Sequence, residues 1–312
     1  MLLEPLGLEY IAGALEAEGH FCRIIGFRVD GRAKGMTEVI STGPQVIGVQ
    51  SAFTCQRSHI LGIISELRTH FADVSIILGA HDVSMDPDWL IGSGSSVIVR
   101  GDGETTMPKL VRAYQAGDDI SMIPGLIINN GNELIDTGPA PIVGNLDNIP
   151  LPARHLVRDY ADKYCVSFLN PIAMLETSRG CPYNCSFCTV WKFHRGAYRT
   201  RPPEMVARDL LNIEAPYVFV TDDSFGLNSD ASCAIAEAIK EHDIRKQYVV
   251  LLRELNGKYT YTAEIIGGEL RLDTEQDHNS DIIDLAWISL DDRSKLDAIT
   301  APVLALYFRA GD

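Results

Sequence analysis

Positive charge is scarce in this sequence. Lys and Arg number 27 against 42 Asp and Glu, a formal net charge of −15. A chain of that balance repels nucleic acid unless basic residues concentrate locally, so nucleic acid is not an expected partner. The densest basic stretch holds Lys192, Arg195, Arg199 and Arg201. It reads as a binder of anionic cofactor or substrate groups, with a solvated loop as the alternative. Long apolar runs are also missing. No segment is long enough to cross a bilayer, and the opening MLLEPLGLEY has no basic leader and no small-residue cleavage site. A cytoplasmic protein with no transmembrane segment is therefore expected. A second cysteine pair is missing too. Of 7 cysteines, three fall within eight positions and no second cluster exists. In a reducing compartment that clustering means metal or redox chemistry rather than disulfides. Cys22, Cys55, Cys165 and Cys233 are scattered and are expected to be small buried apolar residues.

What is present is an α/β pattern. Residues 7–19 read as an amphipathic helix closed by Gly19, residues 21–28 as a strand, 46–51 as a strand and 58–70 as a helix. A strand at 74–78, a turn at 79–81, a strand at 97–100, the loop GDGE at 101–104 and a helix at 105–116 follow. Strands alternating with helices at this spacing imply βαβ units and a parallel sheet. Residues 117–160 are rich in Pro, Gly, Asn and Asp and read as a hairpin-like arm and linker. A second α/β run begins near 172, with strands at 172–178 and 217–223 and helices at 202–213 and 231–242. That rhythm matches the start of a (β/α) barrel, whose sites lie at the C-terminal ends of strands. No internal repeat is visible.

The segment ETSRGCPYNCSFCTVW places Cys181, Cys185 and Cys188 in a C-x3-C-x2-C pattern. Three thiolates on one tight loop can each bind one iron of a [4Fe-4S] cluster and leave the fourth iron open. An open iron can chelate the amino and carboxylate groups of S-adenosylmethionine. Phe187 can offer a ring face to the adenine. The alternative is a zinc site with His194 as fourth ligand.

The spacing resembles that of the radical S-adenosylmethionine superfamily. The longer stretch LETSRGCPYNCSFCTVWKFHRGAYRTRPPEMV resembles its cobalamin-dependent subgroup, hopanoid C-3 methylases among them. VFVTDDSFGLN resembles the second barrel strand of that subgroup, which implies Asp222 and Asp223 near the methionine moiety or substrate; a helix-capping Asp pair is the alternative. PLGLEYIAGALEAEGH, GPQVIGVQS, IILGAHDVSMDP and VRGDGETTMPKLV resemble the cobalamin-binding domain of such enzymes. The resemblance implies a corrin over the C-terminal edge of a parallel sheet, with Ser51, Gly79, His81, Gly101 and Glu104 on the cobalamin side. His81 could equally be a turn residue. The DxHxxG cobalt-ligand motif is absent, so cobalamin is expected to bind without its histidine.

Four units follow from this reading. Residues 1–125 form a Rossmann-like cobalamin-binding domain, 126–170 a linker or arm, 171–247 a partial radical S-adenosylmethionine barrel, and 248–312 a small α+β tail. The family opens with a strand before PLGL, which is missing here, and its barrel holds more βα units than the two visible. The tail resembles the second half of a Nudix hydrolase but lacks the glutamate-bearing Nudix box, so diphosphate hydrolysis is not expected. The resemblance implies a methyltransferase acting on an unactivated carbon of a small or lipid-like substrate, using a [4Fe-4S] cluster, S-adenosylmethionine and cobalamin. An electron donor such as flavodoxin or ferredoxin is implied as partner. A non-catalytic iron–sulfur and cobalamin-binding fragment, left by the truncated barrel, is the rival expectation.

Overall fold

A computed structural model of the chain describes residues 2–166 and 169–250, together with 252–253 and 260–261. The elements run α1 (Leu6–Glu16), α2 (Phe27–Asp30), α3 (Arg32–Thr42), β1 (Val46–Gln50), α4 (Arg57–His70), β2 (Ser75–Gly79), α5 (His81–Met85), β3 (Val97–Val99) and α6 (Gly103–Ala116). Then come the hairpin β4 (Leu126–Asn129) and β5 (Leu134–Asp136) and a 3-10 stretch at Arg154–Lys163. The second run holds β6 (Ile172–Leu175), β7 (Ser178–Arg179), α7 (Val190–Phe193), β8 (Arg199–Thr200), α8 (Pro203–Leu211), β9 (Tyr217–Val220), α9 (Ser229–Glu241) and β10 (Gln247–Val250).

The first sheet has the order β1-β2-β3-β4-β5, parallel through β3 and antiparallel beyond it. Its central strands, SIILG and VIV, are almost continuously apolar, as strands covered on both faces must be. Alternation sorts their side chains. Ile76, Leu78 and Ile98 pack with Ile60, Ile64 and Leu67 of α4. Ile77, Val97 and Val99 pack with Met107 and Leu110 of α6. The hairpin expected within the arm thus extends this sheet.

The second sheet has the order β10-β9-β6, all parallel. Ala173, Leu175, Val218 and Val220 face α8 and α9 through Val206, Leu210 and Ile235. Its opposite face, with Ile172 and Phe219, packs against Ala12 of α1 and Ile24. β10 is a third parallel strand, one more than the sequence pattern supplies. Among the described residues these three strands form an open sheet; the tail expected to be Nudix-like lies almost wholly outside the described residues.

Two expectations are corrected. Residues 21–28 do not form a strand: 20–26 run without ladder pairing and Phe27 starts a helix. Two of its apolar residues, Cys22 and Ile24, serve the core shared with Leu169 and Ile172 rather than a sheet face, while Phe21 is exposed and Phe27 packs against the core of the first sheet. The four scattered cysteines are not buried either. Cys55 is exposed and Cys22, Cys165 and Cys233 are half-buried.

The two runs are clasped by charge. Arg154 donates to Asp209 of α8 at 2.6 and 2.9 Å, to Glu4 at 2.9 Å and to the Met174 carbonyl at 2.8 Å, while Glu4 accepts from the Met174 amide at 2.6 Å. Beside them Glu9 is fully buried, with neither carboxyl oxygen hydrogen-bonded. Burial, reinforced by Glu4 and opposed by Arg154, pushes its carboxyl from 4.5 up to about 9. The folded chain therefore keeps a proton that the unfolded chain releases. Across the window from 4.5 to about 9, stability falls as pH rises, by at most about 1.4 kcal/mol per pH unit. Glu9→Gln is expected to flatten that fall. Urea melts at several pH values check this, and an unchanged slope in the variant would count against a neutral Glu9.

Candidate functional site

The cysteine loop hangs from the C-terminal end of β6. β7 and β8 pair antiparallel and close its base. Gly180 follows at φ +85°, where a Cβ would stand 2.1 Å from the Ala197 carbonyl oxygen, so only glycine fits before the first cysteine. The Cys188 amide donates to the Cys185 carbonyl at 3.1 Å, and Trp191 Nε1 donates to the same oxygen at 3.0 Å. All three thiols are half-buried, and Phe187 between them is 84% exposed.

Asp222 and Asp223, at the C-terminal end of β9, brace this loop. Asp222 accepts from the Thr177 amide and hydroxyl at 2.7 and 2.5 Å and from the Ser178 hydroxyl at 2.6 Å. Burial pushes its carboxyl up to about 6, against the pull of those bonds. Asp223 accepts from the Gly180 amide at 2.9 Å and lies 3.5 Å from His194 Nε2. Neither caps a helix: the side chain of Asn228 caps α9. His194 is buried and pushed down to about 4, chiefly by burial, so it is neutral at neutral pH. Its Nδ1 accepts from Arg199 at 2.8 Å. Its Nδ1 is thus turned to Arg199 and its Nε2 towards Asp223, and no metal-holding group of three His, Cys, Asp or Glu includes it among the described residues. Among the described residues, no three His, Cys, Asp or Glu side chains are gathered around a single-ion site. Among the described residues the loop offers three thiols and no fourth His, Cys, Asp or Glu is gathered with them, which suits a cluster with one open iron.

The residues expected on the cobalamin side sit at the C-terminal ends of β1, β2 and β3. Ser51 is fully buried; its amide donates to the Gly79 carbonyl at 2.9 Å, and its hydroxyl lies 3.5 Å from Asp82. Asp82 is held by Arg57 at 2.7 and 2.8 Å. His81 stacks on Phe193 of α7, ring centroids 4.0 Å apart, and its Nε2 is buried without a partner. Burial lowers its pKa, so it too favours the neutral form. Gly101 stands at φ +77° with only the Ala140 Cβ within reach of an added methyl. An unpaired buried imidazole nitrogen and a bare glycine turn at one sheet edge suit a large polar-rimmed ligand. Between the loop after β3 and α7 lies a small cleft of about 20 Å³, lined by Gly101, Asp102, Ala140, Phe193, His194 and Arg199 among others.

The two loops touch each other through charge, which sequence reasoning missed. Arg179, two residues before Cys181, donates to Asp102 at 3.1 Å, to Glu104 at 2.5 Å and to Glu176 at 2.7 Å. Arg199 donates to Asp102 at 2.6 Å and to the Val143 carbonyl at 2.9 Å. Arg201 reaches Glu176 at 3.2 Å, and the Tyr10 ring lies under both Arg201 and Arg179. Glu104 therefore faces Arg179. The basic stretch divides: Arg199 and Arg201 are buried in ion pairs and so are not free anion binders, while Lys192 and Arg195 are exposed, Arg195 donating to the Ala140 carbonyl at 2.5 Å. The signal available was the acidic GDGE loop and an arginine beside the first cysteine; nothing in the sequence says that they meet.

Comparison with known proteins fits this geometry. Residues 1–111 match the B12 binding domain, and residues 175–299 match the Radical SAM superfamily. The chain belongs to the cobalamin-dependent radical S-adenosylmethionine proteins, a B12-binding domain followed by a radical SAM domain. It is 32% identical over 256 residues to the hopanoid C-3 methylase of Methylococcus capsulatus, covering 80% of this chain and 48% of that protein. It is 25% identical over 294 residues to the cytidylyl-2-hydroxyethylphosphonate methyltransferase of Streptomyces wedmorensis, covering 76% of this chain and 54% of that one. Among solved structures it shares the fold of the cobalamin-dependent S-adenosylmethionine radical enzyme OxsB (TM-score 0.67, 20% identity, 78% of this chain and 36% of that one). It also shares that of the radical S-adenosylmethionine methyltransferase TsrM from Kitasatospora setae (TM-score 0.59, 22% identity, 77% of this chain and 49% of that one). The chain spans about half the length of the curated relatives it matches. The radical SAM match runs to residue 299, well beyond the point near 247 where the sequence pattern loses the likeness. Among the described residues no helix is long and apolar enough to cross a membrane.

Proposed function

We propose that this chain supplies the cofactor-binding part of a methyltransferase that acts on an unactivated carbon of a small molecule, lipid-like in the manner of the hopanoid methylase. The observation that carries the reading is the three-thiol loop, with no fourth protein ligand among the described residues, set against the strand-end loop of a B12-binding sheet. When bound, the cluster and the corrin supply reductive cleavage of S-adenosylmethionine and carriage of a methyl group.

The chain's own residues have narrower tasks. Cys181, Cys185 and Cys188 hold the cluster and leave one iron open. Gly180, Asp222 and Asp223 fix where the loop leaves the sheet, and Phe187 offers a ring to the adenine. Ser51, Gly79, His81 and Gly101 line the corrin side, and Glu104 acts through Arg179. Reducing cytoplasm would keep the thiols free, and a flavodoxin- or ferredoxin-like protein would supply electrons.

Anaerobic reconstitution with iron and sulfide tests the reading. The reduced protein is expected to show a [4Fe-4S] EPR signal that changes on adding S-adenosylmethionine, with 5′-deoxyadenosine released on turnover. Stoichiometric zinc and refusal of iron would overturn it.

A further inference from the structure

Asp102 occupies an unusual place. It lies in the GDGE loop at the end of β3, on the B12-binding side, yet both of its oxygens are taken by arginines of the other domain. Oδ1 accepts from Arg179 at 3.1 Å and Oδ2 accepts from Arg199 at 2.6 Å. Although burial alone would push its carboxyl up, Arg199 and Arg179 hold it below the usual carboxylate range. Asp102, Arg179 and Arg199 are all more than nine-tenths buried. From Asp102 two short chains of contacts reach the residue before the first thiol. One runs along the backbone from Arg179 to Gly180. The other runs from Arg199 through His194 and Asp223 to the Gly180 amide. Breaking one member of a buried ion pair leaves a charge without compensation, so a change at either arginine is felt at Asp102.

We infer that Asp102 is a positioning residue that couples the two cofactor sites, so that filling the cluster loop strengthens corrin binding and the reverse. The inference rests on the functional reading above. A filled cluster loop fixes Arg179 and Arg199, which fixes the Gly101–Glu104 turn. The ordering cost of that turn is then already met when the corrin arrives. By linkage the effect is reciprocal. A merely structural Asp102 would weaken both sites and leave their ratio alone.

The test is four titrations with hydroxocobalamin, followed by absorbance. The native chain and Asp102→Asn are each measured with the cluster reconstituted and without it. In the native chain the cluster-loaded form is expected to bind roughly tenfold more tightly. In Asp102→Asn the ratio is expected to fall to about one while each form still binds. Glu104→Gln, which removes one charge from the same Arg179, is expected to give an intermediate ratio, and it serves as the variant should Asp102→Asn fail to fold. A native ratio near one, or a variant ratio equal to the native one, overturns the inference. A chain that takes up no cluster or no corrin refutes the functional reading instead.

Discussion

Replacing any one of Cys181, Cys185 or Cys188 by Ala is expected to remove most of the reconstituted [4Fe-4S] EPR signal, and most of the bound iron and sulfide with it. The effect is expected to be large because, on the proposed reading, the cluster hangs from these three thiolates, and no spare donor stands beside them among the described residues. His194 is not expected to step in, since its Nδ1 accepts from Arg199 and its Nε2 faces Asp223. Cys55→Ala and Cys233→Ala, made in parallel, are expected to retain the native signal, because neither residue lies on the loop. A Cys185→Ala protein with native iron content would sink the assignment.

Arg154→Met is expected to cost on the order of 3–5 kcal/mol of unfolding free energy. Arg154 is the cation that Asp209 and Glu4 share, and the side chains of all three are at most 9% exposed. The substitution keeps much of the side-chain volume and removes the charge, so two buried carboxylates lose their partner. Adding Asp209→Asn to Arg154→Met is expected to restore part of the loss, since one of the stranded charges goes. Denaturant melts of the single and double variants check both statements. A single variant within about 0.5 kcal/mol of the native chain would mean that the clasp contributes little.

Much of this architecture is legible in sequence because it is written locally. SIILG and VIV announce covered parallel strands, and three cysteines in eight positions announce a cluster loop. What sequence does not carry is which distant groups meet. Asp222 and Asp223 are legible as residues at a strand end; that they hold the loop's amides and hydroxyls depends on β6 and β9 lying side by side. Asp102 and Arg179 are 77 positions apart, and an aspartate in a glycine-rich turn reads as a turn former. The segment 21–28 is misread for a related reason. Its apolar residues suit any extended chain that covers a core, and only the fold decides that this core is shared with β6 rather than lying on a sheet face. Glu104 reads as a cofactor ligand because the motif that contains it does, while its partner comes from the far side of the domain boundary.

The shared core has a consequence for how such proteins can be rearranged. Ala12 and Ile24 lie in the stretch assigned to the B12-binding domain, yet they pack with Ile172 and Phe219 of the radical SAM sheet. Glu4, from the same opening stretch, bonds the backbone of β6. The boundary in family membership is therefore not a seam in the folded chain. The two domains cannot be exchanged as cassettes: a graft of residues 1–111 onto a foreign radical SAM partner would bring half of a hydrophobic contact and a carboxylate with no arginine to meet it. A graft that works has to carry α1 together with the sheet it covers.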